Sequence, residues 1–562
     1  MSSIGVRRVT LSLALFAAAA SGACGGDKGT VSGGAAGAGG TGKIVTGGGG
    51  TAGTGTGAGG VGGNGTGAGG VGGNGTGGTA GTGTIDSGES VLRHHKNLSR
   101  DGLYVQPTLT KAAVTATFNK DAGFNAALDA KEAIYAQPLF VDGGAGGQDL
   151  VIVATAQNNV YAFDGVSGTK VWKTNLGAPV PVANLPCGNL DLYGVTGTPV
   201  IDLASGTLFV DAMTTPDAGA TKKHLIFALS IAGGAIKPNW PIDVGAKVTS
   251  GSTTFNNAPQ GQRSALAILN GTLYVPYGGL YGDCGSYHGW LVAVSVSDPT
   301  QIAAWATTAQ SGGAWAPGGA SSDGTSIFLT TGNTIGGTST SSWGGGEGLL
   351  RFTPGAAFAT PAYWAPTNWV MLDNGDQDLG GSGAIPFDLP GSVPATLAVA
   401  LGKDGNAYLL DRNNLGGVSN AIVKKQVVTN EIITAAALYT TATATYVALR
   451  GNGGICSQGS GDLTALKIVP GSPPTIAGAW CATGGAGSPM VTTSDGHADA
   501  IVWTLGAEAS QTLNAFDGDT GTAIAYPGKS VSIPGMRRFN TPIAAKGRIY
   551  VPADGMIVAF KL

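Results

Sequence analysis

The chain has 562 residues, of which 99 are glycine and 11% are charged, and its formal net charge is −3. This balance provides no basic surface for nucleic acid, so we expect no nucleic-acid partner. Five histidines leave little material for a histidine-rich metal site. Few charges with many Thr, Val and Ala residues suit an exported all-β protein.

Residues 1–23 predict an export signal, since Arg7 and Arg8 precede a short apolar run from Val9 to Ala20. The run is too short to span a bilayer. The sequence Ser21-Gly22-Ala23-Cys24 resembles a bacterial lipobox, in which small residues precede the cysteine that receives a diacylglycerol. We therefore predict a lipoprotein signal with lipid on Cys24; the alternative is ordinary cleavage, with Cys24 an accidental thiol. Lipidation would anchor the protein at the outer membrane or cell surface of a Gram-negative bacterium.

Residues 24–89 form a Gly/Thr/Ala-rich segment in which the ten residues Thr56–Gly65 recur at Thr66–Gly75. Such a composition cannot bury enough apolar surface to order itself. As a flexible coil of about 60 residues it would span roughly 40–45 Å. The segment is predicted to be a disordered tether.

The folded domain is predicted to cover residues 90–562. It opens with the most polar stretch of the chain, Arg93 to Gly102, where adjacent His94 and His95 would point to opposite faces of a strand and make poor joint metal ligands. We assign no metal ligands there. Val114 to Asn119 alternates in the manner of a β-strand.

Asp149 to Gly177 predicts three consecutive antiparallel strands. Asp164 opens the second turn and Gly168 closes it, because Asp accepts backbone N–H bonds and Gly adopts positive φ. Trp172 lies on the third strand. Ala515 to Thr522 repeats the turn pattern.

Each repeat begins with small residues, a proline and an apolar run. Four such starts are Tyr135–Phe140, Gly197–Val200, Gly487–Met490 and Asn540–Ile543. A β-repeat of about 50 to 65 residues predicts a propeller or a solenoid.

The pattern Ala-x-Asp-x-x-[Ser/Thr]-Gly-x-x-x-Trp, complete from Ala162 to Trp172, resembles the repeat of pyrroloquinoline-quinone (PQQ)-type propellers. In that family the tryptophan docks against the neighbouring blade. The resemblance implies a quinoprotein alcohol dehydrogenase-like β-propeller. Spacing gives seven full blades between residues 133 and 528 and a three-stranded remainder from Arg537 to Leu562. We predict that the strand-like segment Val114 to Asn119 completes an eighth blade and closes the ring.

Four cysteines remain once Cys24 carries lipid, an even number in an oxidising compartment. Three pairings are possible. Cys456 and Cys481 fall within one predicted blade, which favours a Cys456–Cys481 bond and, by remainder, a Cys187–Cys284 bond.

Residues just before the innermost strand of each blade are expected to face the axial channel. These candidates for ligand contact are Tyr135, Gln137, Arg263, Glu431, Arg537 and Asn540. The two arginines precede apolar strands, where a guanidinium can bind an anionic or carbonyl group. The structural alternative is that they bond the carbonyl ends of neighbouring strands.

Three functions stay open. The first is a monomeric, envelope-anchored binding or scaffold module for a protein or surface glycan, similar to a propeller lipoprotein of outer-membrane assembly. The second is a periplasmic quinoprotein dehydrogenase, which the family resemblance would equip with PQQ, calcium, a carboxylate base and a disulfide between adjacent cysteines; no two cysteines are adjacent here. The third is a carbohydrate-binding or hydrolysing propeller, suggested by Trp315, Trp343, Trp364 and Trp369, for which packing between blades is the alternative. No catalytic or cofactor-binding residues are assigned, and no cofactor is expected under the first function.

Overall fold

The computed structural model describes residues 88–355, 358–456 and 461–562. The predicted signal, Cys24 and nearly all of the tether lie outside the described residues. Strands dominate the described part. Its helical elements are three short α-helices, Lys111–Thr117, Val244–Lys247 and Trp369–Asn374, and three 3₁₀ turns, Ala145–Gly147, Val182–Asn184 and Leu379–Gly381. None of the helices in these ranges is long and apolar enough to cross a membrane.

Eight sheets, antiparallel apart from a borrowed parallel strand in blades 4 and 7, form the blades of a propeller, as the sequence predicted. Four of them are plain four-stranded meanders. Their strands are Leu139–Val141, Leu150–Ala154, Asn159–Asp164 and Lys170–Asn175 in blade 1; Val200–Asp202, Thr207–Thr214, Lys223–Ser230 and Ile242–Asp243 in blade 2; Ile385–Asp388, Thr396–Leu401, Asn406–Asp411 and Val423–Gln426 in blade 5; and Ala437–Thr440, Thr445–Arg450, Leu463–Val469 and Thr475–Ala482 in blade 6.

The other four blades have a divided strand or borrow strands from elsewhere in the chain. Their strands are Gln260–Gly261 with Ala267–Leu269, Thr272–Gly279, Trp290–Ser295 and Ile302–Ala306 in blade 3; Ser321–Ser322, Ile327–Thr331, Gly348–Phe352, Ala362–Pro366 and the borrowed Gly417–Ser419 in blade 4; Met490–Thr493, Ile501–Leu505, Leu513–Asp517 and the borrowed Leu103–Val105 in blade 7; and Ile543–Ala545, Arg548–Ala553, Met556–Lys561 and the borrowed Asn119–Lys120 and Ala126–Ala127 in blade 8. Two small hairpins stand apart: Val180–Pro181 with Leu192–Tyr193, and Thr249–Ser250 with Thr253–Thr254.

Apolar side chains pack between successive blades. One buried cluster joins blades 1 and 2, others join each following pair, and a large one joins blades 7, 8 and 1, so the packing forms a closed ring. Tryptophan indoles dock on the next blade: Trp172 Nε1 donates to Ile231 O at 3.0 Å and Trp480 Nε1 donates to Gly518 O at 2.9 Å. These contacts match the docking that the repeat resemblance implied.

The predicted repeat turn is present. Asp164 Oδ1 accepts the N–H groups of Val166 and Ser167, and Gly168 donates to Asp164 O at 2.9 Å with a φ of 74°. The second copy repeats this geometry, with Gly521 at a φ of 72°. Carboxylate acceptance and the left-handed glycine together satisfy the backbone of the turn.

Two segments before blade 1 close the ring, but not as predicted. Asn119–Lys120 and Ala126–Ala127 pair with Met556–Lys561 as the outer strands of blade 8. The predicted strand from Val114 to Asn119 is wrong, because Lys111–Thr117 is an α-helix. Thr110 caps this helix by accepting Ala113 N–H at 3.1 Å, and the threonines that suggested a strand turn outward and bond carbonyls four residues back.

The chain fills the axial channel with its own residues 88–106, which we name the plug. Val91 pairs antiparallel with Phe140 of the inner strand of blade 1, and Leu103–Val105 returns parallel to the inner strand of blade 7. Between them, Leu98 O accepts a bond from blade 4 and Asp101 O accepts one from blade 6. The plug therefore enters and leaves where the inner strands finish, which we name the base of the channel. The opposite end, where the inner strands begin, is the mouth.

Buried polar groups hold the tip of the plug. Arg100, only 2% exposed, donates to Ala320 O and His94 O at 2.9 Å and to Leu266 O at 2.7 Å. His94 and His95 stack with ring centroids 4.3 Å apart, and burial lowers the pKa of His95 to about 4 and that of His94 well below its usual value. Both histidines are thus neutral at neutral pH. The polar stretch serves to fasten the plug to several blades.

Both predicted disulfides are present, Cys187–Cys284 and Cys456–Cys481, with Cα–Cα distances of 6.0 and 6.1 Å. Each connects loops on the mouth side. The first joins the loop that precedes blade 2 to the hairpin between the second and third strands of blade 3, and the second lies within blade 6. The pairing that the sequence favoured is the one observed.

Candidate functional site at the channel mouth

The six residues predicted to line the mouth have different surroundings. Gln137 is buried and fastens the plug, since its Oε1 accepts His95 N–H at 2.9 Å and its Nε2 donates to Arg93 O at 3.2 Å. Asn540 is buried and donates to Ile134 O at 3.1 Å. Glu431 is exposed on the surface. Tyr135, Arg263 and Arg537 are half-buried, and they form two separate arginine–aromatic pairs.

Arg537 is fully engaged by the protein. Its Nε and Nη2 bond the two oxygens of Asp554 at 2.6 and 2.7 Å, and its Nη1 donates to Tyr135 Oη at 2.7 Å. The guanidinium also lies 4.6 Å from the centroid of the Tyr135 ring. Such a bidentate ion pair holds the arginine in one orientation and leaves little capacity for a ligand.

Arg263 is not engaged in this way. Its guanidinium lies over the indole of Trp315, 4.2 Å from the ring centroid, and its buried Nε has no hydrogen-bond partner within the described ranges. Burial lowers the pKa of Arg263, while the nearby Tyr193 and Asp378 act in the opposite direction. Among the described residues neither arginine bonds the carbonyl end of a neighbouring strand, whereas Arg100 of the plug donates to three carbonyls.

Trp315 is nearly buried and is clamped by glycines of two blades. A Cβ on Gly278 would lie 3.1 Å from Trp315 Cβ, and one on Gly381 would lie 3.3 Å from its Cη2. A side chain at either position would crowd Trp315, which would have to shift by a few tenths of an ångström. Glycine at these positions thus fixes the surface on which Arg263 rests.

Acidic residues with one lysine lie beside this pair, between blades 4 and 5. Lys403 Nζ is ion-paired with Asp378 and, at 2.8 Å, with Asp376, and it lies 5.4 Å from the Trp315 ring. Glu347 is fully buried and accepts Leu379 N–H at 2.7 Å. Burial and the charge of Asp378 raise the pKa of Glu347 well above its usual value, which favours the protonated form of this carboxyl.

The wall beside Arg263 is formed by loops that the Cys187–Cys284 bond ties together. Tyr193 and Leu280 pack with Val180 and Met213 in a small apolar cluster next to both cysteines. In the same blade 3 hairpin, Tyr287 donates to Asp283 at 2.5 Å. Burial raises the pKa of the Asp283 carboxyl, an effect that the bond from Tyr287 partly offsets. Both tyrosines of this wall are buried, whereas Asp283 is exposed.

Sequence reasoning missed several of these neighbours. Lys403, Asp378, Tyr193 and Tyr287 lie in loops whose spacing from Arg263 exceeds any local motif, and only the blade repeat brings them together. The available signal was Asp376-Gln377-Asp378, two carboxylates a few residues before the apolar start of Ile385–Asp388. Trp315 was singled out as a sugar-binding candidate, but not as the partner of Arg263.

The tryptophans proposed for sugar binding are mostly packed. Trp364 and Trp369 are buried, and Trp364 Nε1 donates to Ser419 O at 3.1 Å. Trp343 stacks on Tyr363 with centroids 3.8 Å apart, and one face of Trp315 carries Arg263. No open row of aromatic faces results from these four residues.

A calcium-bound quinone would need an open stacking face and carboxylates free to bind metal. Arg263 lies over Trp315, and Asp378 is ion-paired with Lys403. No group of three or more His, Cys, Asp or Glu side chains in residues 88–355, 358–456 and 461–562 is placed to hold a metal ion. The cysteines pair across loops rather than with a sequence neighbour. The residues at the mouth therefore do not fit this group, and we derive no reaction through it.

Comparison with known proteins supports the fold. No protein-family model and no curated protein matches the chain. Among solved structures, the quinohemoprotein alcohol dehydrogenase from Comamonas testosteroni is 13% identical, with 84% of this chain and 80% of that chain covered and a TM-score of 0.55. A europium-containing methanol dehydrogenase is 13% identical, with 83% and 90% covered and a TM-score of 0.55. BamB from Moraxella catarrhalis is 12% identical, with 79% and 98% covered and a TM-score of 0.41. The chain thus has a quinoprotein-like propeller fold, and likeness at this identity extends to the fold alone.

Proposed function

We propose that this protein is an exported, lipid-anchored propeller that acts as a binding module of the cell envelope. The export signal and Cys24 of the sequence support its location, and two disulfides suit an oxidising compartment. Lipidation is tested by Cys24→Ser, which should move the protein from the membrane fraction to the soluble fraction. A Cys24→Ser protein that stays in the membrane fraction would contradict the anchor.

The single observation that carries the proposal is the plug. Its residues 88–106 enter and leave the channel at the base, so the mouth is the end at which the chain does not cross the channel opening. The chain enters the propeller at the base, so the mouth lies on the face opposite to the point where the tether joins. A tethered binding module would present that face to its partner.

The loops around the mouth carry exposed apolar side chains, as partner-binding surfaces commonly do. Tyr281 is 64% exposed, Met371 61% and Ile335 54%. Tyr281 belongs to the hairpin of blade 3, Met371 to the helix that follows blade 4, and Ile335 to the loop between the second and third strands of blade 4. We do not propose a dehydrogenase, because the mouth residues do not fit its cofactor, nor a sugar hydrolase, because the tryptophans are packed.

Affinity capture with the intact lipoprotein tests the proposal. Tyr281→Glu alters the mouth face, and Val166→Glu is its matched control, since Val166 is 52% exposed on a turn at the base face. We expect capture of an envelope partner to be lost with Tyr281→Glu and kept with Val166→Glu. Equal capture by both variants would contradict the proposal. Dye reduction that requires added quinone and calcium, and is lost with Arg263→Gln, would replace the binding module with an enzyme.

A further inference from the structure

The uncommitted guanidinium of Arg263 distinguishes the mouth from an ordinary polar surface. Within the described part of the chain Arg263 forms no ion pair and no hydrogen bond, and its Nε is buried without a partner. Arg537, by contrast, donates hydrogen bonds to Asp554 and Tyr135. A buried donor without a partner costs about 1–3 kcal/mol, so such a half-buried arginine at the channel mouth is expected to meet an acceptor from outside.

We propose that Arg263 is the recognition group of a carboxylate-binding site, an inference that rests on the mouth-face function proposed above. A guanidinium presents parallel N–H donors in a fixed fork that matches the two oxygens of a carboxylate. Trp315 lies flat against Arg263 at 4.2 Å and is itself clamped by glycines. The fork is therefore held in place before a ligand arrives, which reduces the entropy lost on binding.

The charges around Arg263 select a group of single charge. The other nearby cation, Lys403, is already paired with Asp376 and Asp378, and Asp283 adds a further negative charge beside Arg263. A dianion such as phosphate would be repelled by these carboxylates, since like charges at close range are unfavourable. A monocarboxylate carries half the charge of a phosphate dianion, so these carboxylates oppose its pairing with Arg263 less strongly.

Titration of the intact protein, followed by tryptophan fluorescence and by calorimetry, tests this site. The carboxylate can come from a sugar acid or from a peptide terminus, so the probes are D-glucuronate and N-acetyl-dialanine. Their neutral counterparts are D-glucose and N-acetyl-dialanine amide, and inorganic phosphate tests the charge preference. We expect saturable binding of at least one carboxylate probe, and weaker or no binding of its neutral counterpart and of phosphate. Binding of glucuronate alone would identify a sugar acid as the ligand, and binding of the peptide alone would identify a peptide terminus. Binding of both would show that the carboxylate group is sufficient.

Three variants give the test its controls. Arg263→Gln should weaken carboxylate binding about 10- to 100-fold, and Arg263→Lys should restore part of it because the charge returns without the fork. Arg537→Gln should bind as the natural protein does. An unchanged thermal midpoint would verify that Arg263→Gln is folded. If its midpoint falls, the titration of Arg263→Lys decides whether the arginine binds the carboxylate.

Three results would overturn the inference: no binding of either carboxylate, phosphate binding as tight as carboxylate, or unchanged binding by Arg263→Gln. Loss of carboxylate binding with envelope capture intact would remove this inference and leave the mouth-face function standing. If envelope capture fails while carboxylate binding is intact, the proposed envelope partner is contradicted and the carboxylate site stands.

Discussion

Replacement of Arg100 by methionine removes its two bonds to the blades, at Ala320 O and Leu266 O, and its bond to His94 O within the plug. Each buried carbonyl left without a donor costs about 1–3 kcal/mol, so the three together cost about 3–9 kcal/mol. The change also removes a buried charge that has no ion-pair partner among the described residues. Its desolvation cost of several kcal/mol is then no longer paid, which offsets part of the loss. We expect a net loss of about 2–4 kcal/mol in the free energy of unfolding.

Urea unfolding gives the stability, and hydrogen exchange over residues 88–106 shows where it is lost. Amides of the plug should exchange faster in Arg100→Met, while those of the blade strands keep most of their protection. Arg351→Met is the control, because Arg351 donates to a single carbonyl, Arg412 O, and should cost no more than about 1 kcal/mol. Equal effects of the two substitutions, or unchanged exchange in the plug, would refute the assignment of Arg100 as the fastener.

Three further predictions concern stability. The folded state holds the pKa of Glu347 well above its usual 4.5, so it retains a proton that the unfolded state loses, and the free energy of unfolding should fall as pH rises above about 4.5. Glu347→Gln should flatten this decline between pH 5 and 8 in urea unfolding. An identical slope in the variant would contradict the prediction. The double substitution Cys187→Ser and Cys284→Ser removes a bond that spans a sequence separation of 97 residues. The free energy of unfolding, measured in urea under non-reducing conditions, should fall by about 2–5 kcal/mol. A loss below about 1 kcal/mol would show that the mouth loops do not need the bond. Phe118→Ala removes a ring from the core beside Trp503 and Phe560 and should lower the free energy of unfolding by about 3–5 kcal/mol. Residues 106–130 should then become accessible to limited proteolysis. Resistance equal to that of the natural protein would argue against ring closure through this segment.

Much of the propeller could be predicted because its information is local and repeated. The Asp164 turn and its glycine recur once, at Asp517 and Gly521, and the proline-containing starts and their spacing gave the blade number. The disulfides followed from parity and from two cysteines in one blade. Each of these inferences needed only residues close together in sequence.

Features that depend on the assembled ring could not be predicted in the same way. Val114 to Thr117 alternates like a strand, yet Thr110 caps a helix there, because Phe118 and Val114 reach the closure core from a helix. The plug could not be recognised either, since its acceptors belong to blades 3 and 4, more than 160 residues away from Arg100 in the chain. For the same reason Arg263 was found by its place before a strand, while its partner Trp315 was not.

Site-specific photo-crosslinking in intact cells tests most directly whether the mouth face carries the function. A photoreactive phenylalanine analogue replaces Tyr281 on the mouth loops in one protein and Val166 on the base face in another, and both positions are exposed. We predict that the Tyr281 position crosslinks to a defined envelope component and that the Val166 position does not. A component crosslinked from Val166 and not from Tyr281 would contradict the account.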